Sequence, residues 1–351
     1  MSSLLRWASS HAHPPARAQA EQPHRIRPSH AGTIRIAWMI PLLCLVTAMT
    51  HAAEPELESV RVMTFNLWHG GDAGRQPLEQ SAAVIRAAKA DLVGLQETEG
   101  ITPSNAARPN RAPELAQLLG WHCFDQGGRT AILSRHPFAQ ASPNQWGTSV
   151  QLPSGTRIWI FNAHFPASPY QPYQLLRIPY FDAPFLRTAD EAVKAAHSAR
   201  GASLDRLTKD MAEALASNAT VFVTGDFNEP SHLDWTEATV KAGHCPLRVP
   251  WPTTSRVTNL GLIDGYRAAW PDPVARRGLT WTPLTREDDP QDRHDRIDFV
   301  FMRGATVRAG GAHVLGEDAA KADVVITPYP SDHRAVVVEA WLPKPGAQTP
   351  R

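Results

Sequence analysis

Apolar and polar positions near the start of the domain predict a strand, a helix and a second strand. Residues 60–65 alternate in polarity and are rich in β-branched side chains, as expected for a strand with one buried face. Residues 78–90 place their apolar side chains three or four positions apart, which is the spacing of one helix face. The short apolar run 92–95 then predicts a buried strand that ends just before Glu97.

The same patterns continue to residue 344 and favour one α/β domain. We expect a short helix at 115–119 and a long helix at about 188–217. Further strands are predicted at 130–134, 148–152, 157–163, 221–224, 297–301 and 335–340. Strands and helices alternate at first and strands dominate later, without a repeat or a linker. This order favours one domain with two packed sheets.

The segment 168–186 interrupts these patterns directly after the strand that leads to His164. It combines prolines with aromatic residues: Pro169, Tyr170, Pro172, Tyr173, Pro179, Tyr180, Phe181, Pro184 and Phe185. Two interpretations stay open. The segment is either a lid that shapes a substrate pocket or a surface loop that packs its own aromatic side chains.

Metal-binding and proton-transferring side chains stand where predicted strands end. Asn66 and Glu97 follow the first two strands, and Asp226 and Asn228 lie two residues apart, so that their side chains face the same way. Phosphodiester cleavage requires a hard divalent cation, a positioned water and assistance to the leaving oxygen. Oxygen donors of this kind suit magnesium.

Histidines complete the pattern. His164 ends one predicted strand, His333 follows Asp332 directly, and the carboxylate of Asp298 could fix the tautomer of His333. Each residue alone has a structural explanation, because Asn and Asp suit turns and a single histidine suits a core. Together, the motifs favour a metal-dependent phosphoesterase site.

These motifs resemble those of the endonuclease/exonuclease/phosphatase superfamily. The matching positions are Asn66, Glu97, His164, Asp226, Asn228, Asp298, Asp332 and His333. The resemblance covers residues 60–342 and implies a four-layer α/β sandwich like that of deoxyribonuclease I. In that fold, helices flank two central, mostly antiparallel β-sheets.

The resemblance also implies a role for each position. A Mg²⁺ or Mn²⁺ ion would bind Glu97, with Asn66 and Asp332 nearby. The catalytic set implied by the resemblance is His164 for the transition state, Asp226 and Asn228 for water and phosphate, and Asp298 in support of His333. The number of metal ions and the identity of the general base stay open.

Residues 1–53 are expected to form a leader with a signal peptide. A basic stretch precedes the uncharged apolar run 37–49, and small residues follow up to Ala53. The run is shorter than the roughly 17 to 25 residues that span a bilayer as a helix. We therefore expect a catalytic domain at 54–351, with its core at 60–344, exported to the periplasm or the exterior. An uncleaved anchor and a later translation start are the open alternatives.

Charge bears on the choice of substrate. The chain has 35 Lys and Arg against 34 Asp and Glu, and the leader removes mostly arginine, which leaves a slight acidic excess. Nucleic-acid binders without sequence preference gain most of their affinity from surplus Lys and Arg. We therefore expect a phosphodiester, or a phosphomonoester, of a small molecule or a lipid headgroup. The alternatives are a secreted DNase I-like endonuclease, served by a local strip of Arg129, Arg135 and Arg157, and a non-catalytic phosphate-binding module.

Two further features have no assigned catalytic role. Cys123 and Cys245 remain after the leader and form either one disulfide or two free thiols. Five acidic residues form a cluster before Asp298: Glu287, Asp288, Asp289, Asp292 and Asp295. We expect this cluster to be a solvated loop rather than an extra cation site. No motif indicates a stable protein partner, and we expect a monomer.

Overall fold

The computed structural model describes residues 56–102, 106–217 and 219–345, which belong to one unit, Ala52–Arg351. The predicted leader, residues 1–53, lies outside the described residues. Within those ranges, none of the helices has the length and apolar character required to cross a membrane.

The described residues form thirteen strands and seven α-helices. The strands are β1 (Leu57–Asn66), β2 (Leu92–Gln96), β3 (His122–Gly127), β4 (Thr130–Ser134), β5 (Phe138–Ala141), β6 (Gly147–Gln151), β7 (Arg157–His164), β8 (Thr220–Asp226), β9 (Ile263–Asp264), β10 (Asp298–Arg303), β11 (Thr306–Gly316), β12 (Val324–Val325) and β13 (Ala335–Pro343). The helices are α1 (Leu78–Ala87), α2 (Ala112–Leu119), α3 (Gln171–Leu176), α4 (Ala189–Ala216), α5 (Glu237–Lys241), α6 (Pro252–Asn259) and α7 (Gly265–Ala269), with a 3-10 turn at His69–Gly71.

The strands form two mixed sheets. One has the order β12-β11-β13-β1-β2-β4-β3, and the other has the order β5-β6-β7-β8-β10-β9. The pairs β1–β2, β7–β8 and β11–β12 are parallel, whereas the other pairs of the described strands are antiparallel.

The two sheets pack face to face, and their strands show the alternation that the sequence predicted. Val62 points into the apolar layer between the sheets, where it meets residues such as Phe222 and Val300. Its neighbour Met63 points to the opposite face, which α1 and α2 cover through Ile85 and Leu115. Burying one such side chain stabilises the fold by about 1.5–3 kcal/mol.

The outer face of the second sheet is covered in the same way by α4 and α6. Leu204 and Leu207 of α4 and Val257 of α6 pack on Phe161 and Phe301. α4 begins at a capping box, in which the hydroxyl of Thr188 accepts the backbone N–H of Glu191. Helix, sheet, sheet and helix form four layers, so the predicted α/β sandwich is confirmed.

Several elements were not predicted, each for a local reason. β3 is half-exposed and does not alternate in polarity. β11 carries a register shift between Val307 and Ala312, around Gly310 and Gly311, which breaks the period of two. α3 lies inside the proline-rich segment, where the prolines obscured a one-turn helix.

The two cysteines are free thiols in separate layers of the domain. Cys123 packs with the cluster under α1 and α2, whereas Cys245 is buried beside Trp235 and Trp251. Burial, with a smaller contribution from Asp125, raises the pKa of Cys123 to about 11. Of the two arrangements left open by the sequence, the structure has the free thiols.

Candidate active site

The polar side chains singled out in the sequence meet at one edge of the two sheets. In the first sheet, Asn66 ends β1 opposite Gln96 of the parallel strand β2, and Glu97 follows directly. In the second sheet, His164 ends β7 opposite Asp226 of β8. Parallel neighbours end at the same edge, so these side chains are brought together by strand direction.

The other predicted residues arrive at this edge from the opposite direction. Asp298 begins β10, which is antiparallel to β8, and therefore pairs with Asp226. Asp332 and His333 lie just before β13, which runs antiparallel to β1. Asn228 follows β8 and donates its backbone N–H to Asp226 Oδ1 at 2.9 Å.

Two of these residues have left-handed backbone conformations. Glu97 has a φ of 52° and Asn228 has a φ of 49°. For residues with a Cβ, this region costs on the order of 1 kcal/mol or more, and such strain is concentrated at functional sites. The conformation of Glu97 is supported by the backbone N–H of His69, which donates to its Oε2 at 3.1 Å.

His333 lies in a row of acidic partners. Its Nδ1 is 3.0 Å from Asp298 Oδ2, and its Nε2 is 3.7 Å from Asp226 Oδ2. Burial alone would lower the pKa of His333, but Asp298 and Asp226 outweigh it and raise the pKa to about 10. Burial raises the pKa of Asp226, and His333 opposes that shift. His333 is therefore protonated at neutral pH and can donate from Nε2.

Asn66 and His164 also face Asp226. Asn66 donates from Nδ2 to Asp226 Oδ2 at 3.1 Å, while its Oδ1 accepts the backbone N–H of Trp68 at 2.9 Å. His164 Nε2 lies 3.6 Å from Asp226 Oδ2 and 4.0 Å from Glu97 Oε1. His164 thus stands between the carboxylates supplied by the two sheets.

Glu97 and Asp332 form one candidate pair for a divalent cation. Asp332 Oδ1 is buried without a hydrogen-bond partner, as is Asp298 Oδ1. Burial, opposed by His333 and reinforced by Glu97, raises the pKa of Asp332 to about 6. For Glu97, burial is outweighed by His164 and by the N–H of His69, so that its pKa is lowered. An ionised carboxylate near a carboxylate with an unpartnered oxygen is a hard oxygen donor set that suits Mg²⁺ or Mn²⁺.

A second group could be considered for a metal ion. Asp226, Asp298 and His333 offer ligand atoms within 4.8 Å of one another. However, His333 engages Asp298 through Nδ1 at 3.0 Å and faces Asp226 through Nε2 at 3.7 Å, so both ring nitrogens are already directed at carboxylates of the group. This group suits proton transfer, whereas Glu97 and Asp332 suit metal binding.

A pocket of about 220 Å³ opens at this edge of the sheets. Its lining includes Glu97, Asp226, Asn228, Asp332 and His333. Five of the other lining residues are aromatic, and we call these rings the aromatic wall; they are Trp68, Tyr170, Tyr173, Tyr180 and Trp281.

The segment 168–186 supplies three of these rings and also packs its own side chains. Tyr170 and Tyr173 meet edge to face with centroids 5.0 Å apart, and Tyr173 and Tyr180 do so at 5.4 Å. The aromatic side chains of this segment thus pack on one another, as in a surface loop, and three of them also line the pocket.

The base of the segment is held by a buried arginine of α4. Arg200 donates from Nη1 to Gln171 Oε1 at 2.6 Å and from Nη2 to the carbonyl oxygen of Pro169 at 3.1 Å. The same guanidinium is 4.0 Å from Glu229 Oε2. Because Glu229 follows Asn228, Arg200 connects the aromatic segment with the chain that leaves β8.

The prediction of a solvated acidic loop is wrong for two of its members. Asp295 is buried and accepts hydrogen bonds from the Tyr170 hydroxyl at 2.9 Å and from Trp235 Nε1 at 3.1 Å. Asp292 accepts a hydrogen bond from the Tyr173 hydroxyl. The sequence interpretation failed because the tyrosines that bind these carboxylates lie more than a hundred residues away.

Sequence reasoning missed three pocket residues: Trp68, His69 and Trp281. The first two directly follow Asn66 and Leu67, so their place after a strand end was a usable signal. Trp281 gave no such signal; its ring lies 4.8 Å from that of His333 because an isolated bridge joins Trp281 to His333.

Comparisons with known proteins show what this chain is similar to. The model of the endonuclease/exonuclease/phosphatase family matches residues 63–333. An uncharacterized protein of Caenorhabditis elegans is 27% identical over 308 residues, which are 80% of this chain and 90% of that protein.

Similar solved structures include an endonuclease/exonuclease/phosphatase from Beutenbergia cavernae, at 20% identity and a TM-score of 0.49, covering 81% of this chain and 72% of that one. An AP endonuclease from Archaeoglobus fulgidus is 14% identical with a TM-score of 0.46, covering 80% and 98%. TDP2 from C. elegans is 18% identical with a TM-score of 0.42, covering 81% and 75%.

Members of the matched family are generally hydrolases of phosphoester bonds and generally use a divalent metal ion. The family model covers more than half of the chain and includes all eight predicted site residues. The chain therefore belongs to the endonuclease/exonuclease/phosphatase family.

Proposed function

We propose that this protein is a Mg²⁺- or Mn²⁺-dependent phosphoesterase that hydrolyses a phosphodiester, or a phosphomonoester, of a small molecule or a lipid headgroup. The observation that supports this most is the convergence of Glu97, Asp226, Asp332 and His333 in one pocket of about 220 Å³. That volume suits one phosphoryl group with a compact substituent.

The residues divide the chemistry between them. Glu97 and Asp332, with Asn66 nearby, would hold the metal ion, which when bound neutralises charge on the phosphoryl oxygens. Asn66 orients Asp226 Oδ2 by donating to it, and His333 and His164 also face that oxygen.

Asp226 is placed to accept a proton from the attacking water. As the new P–O bond forms and the bond to the leaving oxygen breaks, His333 or His164 can donate to a phosphoryl or leaving oxygen. Asn228 keeps one amide hydrogen for phosphate after donating the other to the Phe165 carbonyl at 3.0 Å.

Charge supports a small substrate over a duplex. Among the described residues that line the pocket, none is Lys or Arg. The proposed basic strip is also dispersed: Arg135 follows Ser134, which pairs with Leu92 at the far end of β2, and Arg157 begins the strand that His164 ends. Arg129 alone of the three lies near the site, 3.5 Å from Glu97 Oε2.

A secreted DNase I-like endonuclease is the second candidate, because a polar groove continues from His164. This groove has a volume of about 260 Å³ and is lined by residues that include Gln126, Asn144 and Arg206. It offers a path for a strand beyond the pocket. A non-catalytic phosphate-binding module is disfavoured, because every matched position keeps a side chain capable of catalysis.

Parallel assays separate these candidates. Purified protein is incubated with bis(p-nitrophenyl) phosphate, plasmid DNA and phospholipid vesicles, with Mg²⁺, with Mn²⁺ and with chelator. We expect metal-dependent cleavage of the small diester or the phospholipid and little cleavage of DNA. Preferential DNA cleavage would support the endonuclease. The absence of turnover with every one of these substrates would support the binding module.

We also propose that the protein is exported after removal of residues 1–53, as their basic, apolar and small-residue order suggests. N-terminal sequencing of protein recovered outside the cytoplasm should begin near Ala53. Full-length protein that stays in the cytoplasm would contradict export.

A further inference from the structure

The aromatic wall and the catalytic carboxylates face the same small volume. Tyr170, Tyr173 and Tyr180 form a continuous series, in which successive rings lie at 90° and 79° to each other. Trp68 and Trp281 line the same pocket. A group attached to a phosphate held by the catalytic residues would therefore contact several rings at once.

The charges around this wall favour a cation. The metal ion proposed for Glu97 and Asp332 and the His333 imidazolium would face the phosphate, and none of the described residues that line the pocket is Lys or Arg. Behind the wall, Asp295 accepts the hydroxyl hydrogen of Tyr170 and Asp292 accepts that of Tyr173. A hydroxyl that donates to a carboxylate leaves its ring more electron-rich, and the negative face of an aromatic ring attracts cations.

A basic residue behind the wall partly offsets the charge of Asp295. Arg293 lies 3.0 Å from Asp295 Oδ1 and stacks over Trp235, at 5.4 Å from its ring centroid. Neither Arg293 nor Trp235 lines the pocket. The guanidinium neutralises Asp295 from behind, while Asp292 pairs with hydroxyls and a backbone N–H. The surface that the substituent of the phosphate meets stays aromatic.

We propose that the aromatic wall binds a quaternary ammonium group linked to the scissile phosphate, so that the substrate class is a zwitterionic phosphoester. This rests on the proposed phosphoesterase function and adds the chemistry of the substituent. A neutral base or sugar would also contact the rings, but it would gain no electrostatic attraction to their negative faces. A polyphosphate or a nucleic acid would place further negative charge against these rings, and none of the described lining residues is Lys or Arg.

Binding of the cation alone tests the wall without catalysis. Tetramethylammonium is titrated into the full-length protein by calorimetry, with tert-butanol as an uncharged compound with methyl groups. We expect saturable binding of the cation at least about tenfold stronger than that of the alcohol, which is the scale of a desolvated cation–π contact. Equal binding of the two would overturn the proposal.

Matched variants locate the binding site. Tyr180→Leu should weaken tetramethylammonium binding several-fold, whereas Tyr180→Phe, which keeps the ring, should retain it. Phe185→Leu is the control, because Phe185 belongs to the same segment but is exposed and does not line the pocket. If Tyr180→Leu and Phe185→Leu behave alike, the cation does not bind at the wall.

Turnover separates failure of this inference from failure of the proposed function. We compare kcat/KM for p-nitrophenyl phosphocholine with that for its uncharged 3,3-dimethylbutyl analogue, in wild type and in Tyr180→Leu. We expect a preference of about tenfold for the choline ester, lost in the variant. Equal turnover of both esters overturns the cation site and leaves the phosphoesterase intact. If neither ester is cleaved while tetramethylammonium still binds, the proposed function fails and the cation site stands.

Discussion

The pocket has one side made of strand ends and one side made of an inserted segment. On the strand side, Asn66, Asp226 and Asp298 are fixed by the registers of β1, β8 and β10. On the segment side, the tyrosines depend on side-chain contacts, chiefly those of Arg200, Asp292 and Asp295. The difference indicates that the strand side is held by backbone pairing and the segment side by side-chain contacts; under the proposed function, substrate choice lies on the segment side.

Removing the metal should produce the largest effect and should act through the strand side. Glu97 and Asp332 offer hard oxygen ligands, so a chelator should abolish turnover and Mg²⁺ or Mn²⁺ should restore it. The measurement is the rate on bis(p-nitrophenyl) phosphate before and after chelation. Undiminished turnover after exhaustive chelation would refute metal dependence.

Removing single proton-transfer groups should have the next largest effect. Asp226→Ala, His164→Ala and His333→Ala should each lower kcat by at least about 10²-fold, the scale of a lost general acid–base or charge-stabilising group. Steady-state kinetics measures this, with circular dichroism as the control for folding. A folded variant with near-normal kcat removes that residue from the mechanism.

Breaking the anchor of the aromatic segment should affect stability and KM more than kcat. Arg200→Met leaves Glu229 buried without its partner, which costs about 3 kcal/mol when the carboxylate is charged. Chemical denaturation measures the free energy of unfolding, and kinetics on the small diester gives KM and kcat. A loss confined to kcat would mean that Arg200 acts on the chemistry itself.

The cost of Arg200→Met should also depend on pH. Burial already raises the pKa of Glu229, with Arg200 opposing that shift, so the variant should bind a proton there more tightly in the folded state than in the unfolded state. The stability that this bound proton contributes is then present below the pKa of Glu229 in the unfolded state. It is lost as pH rises through the pKa of Glu229 in the folded state. The difference in unfolding free energy between variant and wild type should therefore be smaller at pH 5 than at pH 8, and a difference independent of pH would contradict this account.

The smallest effect is expected for Tyr173→Phe, which removes only the hydroxyl that donates to Asp292. The loss of one such hydrogen bond should lower the free energy of unfolding by about 1 kcal/mol. Thermal and chemical denaturation measure it, with Tyr180→Phe as the control, because the Tyr180 hydroxyl has no hydrogen bond to a carboxylate among the described contacts. A loss of kcat on the scale of the His333 variant would place Tyr173 among the reacting groups.

The sequence alone determined the strands whose alternation is regular and the polar residues that end them. β4 was predicted at its observed bounds, and α4 to within about one residue at each end. These features are local: a period of two or of 3.6 residues shows which side chains are buried, and strand ends follow from where the period stops. The candidate site residues were found in this way because each stands beside such an end.

Only the tertiary structure decided which of these residues meet and what surrounds them. The contact of His333 with Asp298 spans 35 residues, that of Asn66 with Asp226 spans 160, and that of Tyr170 with Asp295 spans 125. Such pairings depend on the order of strands in two sheets and on how the sheets pack. Neither can be recognised from the local periodicity of the sequence. The local sequence around Asp292 and Asp295 therefore predicts a solvated loop, whereas long-range packing brings Tyr173 and Tyr170 to these carboxylates.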